Sequence, residues 1–365
     1  MILRPGFRVL VAGCGEIARR VHLPYLTTHP CRPEIVLYDT DPATASRAAK
    51  EFGLRVHDGP PSAAGAEAAV ICTPPSSHAD LAVVLLEAGA HVVCEKPLAD
   101  TIEGAQRIAG AARRHRREVF PCYTNRFRDD VGVFHELLAS GEIGKPQQVS
   151  ARWRRRSGTP GTQGALSAGV LWDLGSHLVD LALRLTGWSG QATVLATATS
   201  AEYEPGAADE GWYGSSAPAS AAPVVDTVHG LARFSGGGAL SLEVSWHAHD
   251  VRDEVLIRVT GTRGVAELRT LFGFSPDRRT VPSPAIRVTT DNDPRWRIVL
   301  DQQSREPVEY RRQLDLAFST PRTDPARRLA DLTSAVTSVA LCDAFARSLT
   351  TGASVTALLP EDTRS

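Results

Sequence analysis

The chain has 365 residues, more than one ordinary core supports, so two domains are expected. Hydrophobic residues make up 42% and charged residues 22%, the balance of a soluble globular protein, and a net charge of -1 provides no basic field for nucleic acid or anionic membrane. No apolar run approaches the roughly 20 residues of a membrane span. The six cysteines show neither a C-x-x-C pair nor zinc spacing, so no metal is expected and a reduced, cytoplasmic protein is.

The N-terminal stretch MILRPGFRVLVAGCGE carries Arg8 and a Gly-rich turn, so it reads as a first strand and not a signal peptide. RVLVAG (8–13) is that strand, and a helix-like stretch with EIARRVHLPYL follows it. EIVLYD (34–39) is a second strand, after which Asp41 as N-cap and Pro42 at the first helical position open a helix. AAVICT (68–73) is a third strand and HADLAVVLLEAG (78–89) a helix closed by Gly89. HVVCE (91–95) is a fourth strand, and an Ala/Arg-rich helix spans about 101–115. Alternation of continuous apolar strands with helices argues a parallel sheet covered on both faces. Cys72 and Cys94 lie inside these strand-like runs, where cysteine acts as a small hydrophobe.

After about residue 122 the pattern changes. GVLWDLGSHLVDLALRLTG (169–187) is one helical stretch ending at Gly187. TVHGLARF (227–234), ALSLEVSWHAH (239–249) and EVLIRVTG (254–261) alternate in polarity between Gly-rich turns, as antiparallel strands do. Residues 204–223 are small and polar, the composition of a loop or lid, residues 272–325 give no clear elements, and a last helix runs near 325–349. The expected division is 1–122 and 123–365.

VAGCGEIA places Gly13-x-Gly15-x-x-Ala18 at a strand-to-helix turn. Gly13 permits the tight turn, Gly15 lets a pyrophosphate approach the backbone, and Ala18 is small enough for close helix–strand packing. The helix N-terminus then offers free N–H groups and the positive end of its dipole to phosphate. Asp39, at the end of the next strand, lies somewhat beyond the usual ~20 residues but at the place where a carboxylate accepts the ribose hydroxyls. It also repels a 2′-phosphate, and Thr40 supplies no cation, so NAD is favoured over NADP; Arg47, reaching back from the helix, is the one reservation.

These residues, with CTPPSSHADLA, AGAHVVCEKPLA, NRF (125–127) and DLGSHLVD (173–180), resemble the glucose–fructose oxidoreductase / inositol dehydrogenase / MocA family. The likeness covers the N-terminal half and returns at FSGGGALSLEVSW and in the last helix. It implies an α/β fold: an N-terminal Rossmann dinucleotide-binding domain, then an α/β domain with a large open, mostly antiparallel sheet that joins subunits into a homodimer or homotetramer. It implies NAD-dependent hydride transfer at a secondary carbon of a sugar, aminosugar or cyclitol, with no nucleic-acid or membrane partner.

By that resemblance Lys96 is the lysine beside the nicotinamide, able to stabilise negative charge on the reacting oxygen, with Pro97 fixing the local φ. Glu95 corresponds to a position at the nicotinamide end. Asp173 and His177, at i and i+4, share a helix face. Alone that spacing fits an ordinary surface pair; matched to D-x-G-x-H it implies His177 as proton acceptor and Asp173 as its support or a substrate contact. Gly175 costs roughly 1 kcal/mol inside a helix, which suggests close backbone approach; Asp180 reads as structural. Thr73, Pro74, His78 and Asn125 fall at positions bordering the cofactor, as do Glu16 and Ile17 in the glycine turn. ARWRRR (151–156) reads as a strand whose arginines are mostly solvated, one of them able to clamp a carboxylate or phosphate. His247 and His249 share a strand face but lack further ligands at zinc spacing.

Where many relatives carry three glycines before the aspartate, this chain has SAGVLWD, with Gly169 and bulky Trp172, so no relative's substrate transfers to it. Two other activities fit the same residues, a keto-sugar reductase, free or nucleotide-linked, and a redox-neutral lyase or hydrolase that uses NAD transiently; a third reading is a non-catalytic dinucleotide sensor, and the intact Lys96, Asp173 and His177 argue against it.

Overall fold

The computed structural model describes residues 1–156, 169–201, 224–250, 252–275, 278, 285–302, 306–319 and 325–360. The segment 204–223 lies outside these. The chain divides into two compact units, one built on Met1–Thr124 with Glu309–Val339, the other on Asn125–Val308 with Ala340–Asp362.

In the first unit, β1 (Arg8–Ala12), β2 (Glu34–Tyr38), β3 (Arg55–Val56), β4 (Ala68–Ile71), β5 (His91–Glu95) and β6 (Val119–Cys122) form one sheet in the order β3-β2-β1-β4-β5-β6. Every pairing is parallel. The order reverses direction between β1 and β4, the switch point where open α/β sheets bind ligands. All four residues of β4 are buried, as the continuous apolar run requires. The helices α1 (Leu23–Thr28), α2 (Pro42–Phe52), α3 (His78–Glu87) and α4 (Ile102–His115) connect the strands. Asp41 caps α2 by accepting from the N–H groups of Ala43 and Thr44, and Gly53 in the left-handed region ends it. The segment 309–339 joins this unit although it comes late in the chain. The N-terminal ammonium donates to the Ala317 carbonyl at 3.0 Å, and Leu3 N–H donates to that of Phe318, also at 3.0 Å. No local sequence signal predicts that return.

The second unit contains α5 (Asp129–Ala139), β7 (Pro146–Arg154), α6 (Ser176–Thr186) and eight further strands: β8 (Gly190–Ala201), β9 (Val224–Phe234), β10 (Ala239–Ser245), β11 (Glu254–Gly261), β12 (Gly264–Thr270), β13 (Ile286–Thr290), β14 (Asp293–Leu300) and β15 (Val355–Leu359). Nine strands pair in the order β14-β13-β12-β11-β7-β10-β9-β8-β15, and β7 with β10 is the one parallel pairing described. The register sets the two faces. Leu195, Leu231, Ser241, Ser150, Arg258, Glu267, Arg287 and Ile298 stand opposite one another across successive strands and so share one face. The other face carries Val194, Ala232, Leu240, Val149, Val259, Ala266 and Val288, all buried, and α6 packs on it at β7 and β10. Two more helices, α7 (Val308–Ser319) and α8 (Pro325–Thr351), complete the chain.

Three expectations need correction. Within α8, Leu329–Thr351 is long and apolar enough to cross a membrane by length and composition, so one run does reach span length; 78% of its window is buried inside the protein. The strand through SLEVSWHAH stops at Ser245, and His249 adopts φ +54°, so His247 and His249 share no strand face. The arginines of 151–156 are not mostly solvated: Arg152 and Arg154 are part-covered and pair with Glu243 of β10, and Arg155 is 1% exposed.

Candidate active site

The glycine turn leaves β1 at Gly13, whose φ is +88°, and a Cβ there would lie 2.6 Å from the Cys72 backbone. Only glycine fits. A Cβ on Gly15 would meet nothing within 4 Å, so the backbone at this position faces open space of the kind a pyrophosphate would enter. The chain then makes a π-turn, Ala18–His22, before α1. Asp39 ends β2 with both carboxylate oxygens engaged: Oδ2 accepts from Cys14 N–H at 2.8 Å and Oδ1 from Asp41 N–H at 2.9 Å. Arg47 donates to Thr44 Oγ1 at 2.8 Å. Glu16 pairs with Arg19 and Arg20 of the same turn, and Ile17 is the residue from which the π-turn starts.

His78 opens α3 and is fully buried. One ring nitrogen lies 2.8 Å from the Thr73 carbonyl and the other 2.8 Å from that of Pro97. It thus ties the loop of Thr73 and Pro74 to the Glu95-Lys96-Pro97 turn, in which the Lys96–Pro97 peptide is cis. Burial pushes the His78 pKa below its ordinary value, against the partial opposition of those two carbonyls. Lys96 follows directly on β5, and Glu95 accepts from the Lys96 N–H at 3.2 Å and from His22 Nε2 at 2.7 Å. Cys14, Cys72, Cys94 and Cys122 stand at or just beyond the ends of β1, β4, β5 and β6, all buried. Burial holds the Cys94 and Cys72 thiols well above the ordinary value and that of Cys14 at about 12.

In the second unit, Asp173 lies in another π-turn, Leu171–Gly175, and His177 in the first turn of α6. A π-turn re-aims the side chains it carries, and such turns are frequent at functional sites. A Cβ on Gly175 would come 3.0 Å from Leu171 and 3.7 Å from Leu242 of β10, the close approach that the glycine serves. Asp173 Oδ2 accepts from Trp246 Nε1 at 3.0 Å and lies 3.3 Å from a guanidinium nitrogen of Arg155. Arg155 stacks on Trp153, its Cζ 5.9 Å from the ring centre, and the same indole meets Phe272 at 5.2 Å and His177 at 5.7 Å between centroids. Arg155 and Trp246 leave the carboxyl ends of β7 and β10, the parallel pair, and Arg155 N–H donates to the Ser245 carbonyl at 2.9 Å. Asp180 is buried and forked by Arg126, a structural pair. Asn125 is buried, and its Oδ1 has no hydrogen-bond partner among the described residues.

The structure places Asp173 in the π-turn and His177 in the α-helix that follows it directly, and it adds Trp153, Trp246 and the specific partner of Arg155, which the sequence reading passes over. The signal available was chemical: a buried indole N–H needs an acceptor, and a buried guanidinium needs an anion. Lys96 belongs to the first unit, with Gly13, Gly15, Glu16, Ile17, Asp39, Thr73, Pro74, His78 and Glu95, and Asn125 to the second.

A six-stranded parallel sheet with a glycine turn at its switch point and a carboxylate, Asp39, just past the neighbouring strand is the architecture of a dinucleotide-binding Rossmann domain. The chain belongs to the GFO/IDH/MocA oxidoreductase family: the family's NAD-binding Rossmann fold matches residues 7–123 and its C-terminal domain residues 133–267. It is 32% identical, over 88% of this chain and 90% of the other, to an Amycolatopsis mediterranei protein provisionally named UDP-kanosamine synthase oxidoreductase subunit. D-glucoside 3-dehydrogenase of Escherichia coli is 29% identical over 69% of this chain and 74% of that one. The structure of levoglucosan dehydrogenase in complex with NADH and L-sorbose superposes with a TM-score of 0.72 over 98% of this chain and 100% of that chain, at 19% identity.

Proposed function

We propose that this enzyme oxidises a secondary hydroxyl of a sugar, aminosugar or cyclitol, and that Lys96, Asp173 and His177 are the groups that meet the substrate. The observation that carries this reading is the setting of Asp173: a carboxylate fixed by Arg155 and Trp246, four residues before a histidine packed on Trp153. Gly13, Gly15, Asp39, Thr73, Pro74, Glu95 and Asn125 hold the cofactor, with His78 setting the loop around it. Bound NAD supplies the hydride acceptor. His177 takes the hydroxyl proton, Lys96 stabilises the alkoxide as it forms, and Asp173 keeps the histidine and the hydroxyl in register. One hydride and one proton leave the substrate, which becomes the ketone. The relatives named for glucosides and levoglucosan support the substrate class. A panel of polyols, glycosides and aminosugars incubated with NAD, followed by NADH absorbance and product mass, tests this. Loss of two hydrogens is the expected change; a gain or loss of water, or no product across the panel, overturns it.

The open face of the large sheet supports self-association. Leu195, Leu231 and Leu358 are 51%, 52% and 75% exposed at one end of it, and Trp296 stacks on Arg287 at the other. A second copy covers this face in our reading, as a homodimer or a homotetramer; a monomer mass by light scattering at micromolar concentration would contradict it. Five of six cysteines are buried and none is paired, which suits a cytoplasmic enzyme.

A further inference from the structure

His22, Glu95 and Cys122 meet at the carboxyl edge of the parallel sheet. His22 closes the π-turn Ala18–His22, Glu95 ends β5 and Cys122 ends β6, and the last two are opposite partners in the sheet register. One donor atom from each lies within 4.8 Å of the other two. The His22 ring is fully buried, its Nδ1 has no hydrogen-bond partner among the described residues, and Cys122 is 1% exposed. We propose that these three side chains form a site for a thiophilic divalent cation, Zn²⁺ or Co²⁺.

The donor set selects the ion. One imidazole nitrogen, one thiolate and one carboxylate suit zinc and cobalt, whereas magnesium and calcium ask for oxygen alone. Tetrahedral bonds of about 2.0–2.3 Å place donors roughly 3.5 Å apart, so closing a separation of at most 4.8 Å takes side-chain rotation and no strand movement. The three residues lie on separate elements, which is why no zinc spacing appears in the sequence. On binding, the metal replaces the His22–Glu95 hydrogen bond with a bond to each partner, the ring proton of His22 moves from Nε2 to Nδ1, and the Cys122 thiol gives up its proton to solvent. Because Glu95 also accepts from the Lys96 N–H, an occupied site draws on the turn that carries Lys96 and lowers turnover. That consequence rests on the role proposed for Lys96; the binding does not.

Metal-stripped full-length protein, reduced and anaerobic, is titrated with Co²⁺ while the thiolate-to-cobalt charge-transfer absorption is followed, and Zn²⁺ is then added to displace it. The expected result is one equivalent of cobalt in the wild type and in Cys31→Ser, no charge-transfer band in Cys122→Ser, and binding at least about 10-fold weaker in His22→Gln. Cys122→Ser is nearly isosteric and decides the question even where His22→Gln fails to fold. Absence of the band in the wild type overturns the site. A band that Cys122→Ser leaves unchanged marks adventitious binding and overturns it equally.

Discussion

Asp39, just past β2, and Asp173, in the π-turn before α6, are both fixed carboxylates, and they are held by different kinds of donor. The oxygens of Asp39 accept from the main-chain N–H groups of Cys14 and Asp41. The Oδ2 of Asp173 is held by two side chains, the indole of Trp246 and the guanidinium of Arg155. Main-chain donors come with the turn, so any sequence that makes the turn supplies them. Side-chain donors must be contributed residue by residue, and each can be removed without rebuilding the backbone. Under the proposed function, the dinucleotide end is therefore set by chain path, and the substrate end by individual residues.

Substitutions in the two regions should separate accordingly. The largest effect is expected at Lys96, whose side chain acts where charge develops: Lys96→Ala should lose on the order of 10²-fold or more in kcat while keeping NAD affinity. Steady-state kinetics beside a fluorescence titration of NAD checks this, and near-wild-type turnover would return Lys96 to an ordinary strand-end charge. Arg155→Ala comes next. Loss of one charged partner from Asp173 should lower kcat by roughly 10- to 100-fold, the equivalent of one charged hydrogen bond. NAD affinity should be unchanged and Arg155→Lys should recover part of the loss. An effect on NAD binding instead would erase the division between the two regions.

At the other aspartate the expected change is one of selectivity. Asp39→Ala should weaken NAD and narrow the gap to NADP, because it removes both the ribose acceptor and the repulsion of a 2′-phosphate. Cys14→Ala, which keeps the donating N–H, should do neither. Equal losses for both dinucleotides in Asp39→Ala would remove Asp39 as the selector.

The smallest effect concerns stability. Burial holds the His78 pKa below its ordinary value, so the unfolded chain binds the proton more readily than the folded one. Stability is complete above the ordinary histidine pKa of about 6.5 and falls as pH drops below it towards the folded value. Melting temperatures measured between about pH 7.5 and pH 5.5 should fall more steeply for the wild type than for His78→Gln; parallel curves would show that His78 does not couple folding to protons.

The same division decides what was legible in the sequence. The alternation of strands and helices, the glycine turn, Asp39 and the Asp41 cap all depend on residues near one another in the chain, and their places follow from local pattern. Asp173 and His177 are readable only through their match to D-x-G-x-H, because the i, i+4 spacing alone fits an ordinary surface pair. Arg155 and Trp246 were not, because they reach Asp173 only where β7 and β10 run parallel, and nothing in either segment announces that pairing. The face of His247 and His249 was misjudged for a related reason: a strand's end is set by the partner it runs out of, and β10 loses its ladder after Ser245. The long run in α8 has a composition that suits lipid and protein interiors alike, and burial in this chain places it in the second class.

The distribution of thiols has a practical side. Cys14, Cys72, Cys94, Cys122 and Cys342 are buried, and Cys31 alone is partly open to solvent. An alkylating dye therefore meets one accessible sulfur on the folded protein. A fluorophore could be placed at a single known point on the NAD-binding unit without adding or deleting a cysteine, and the same protection makes the strand-end sulfurs slow targets for peroxide.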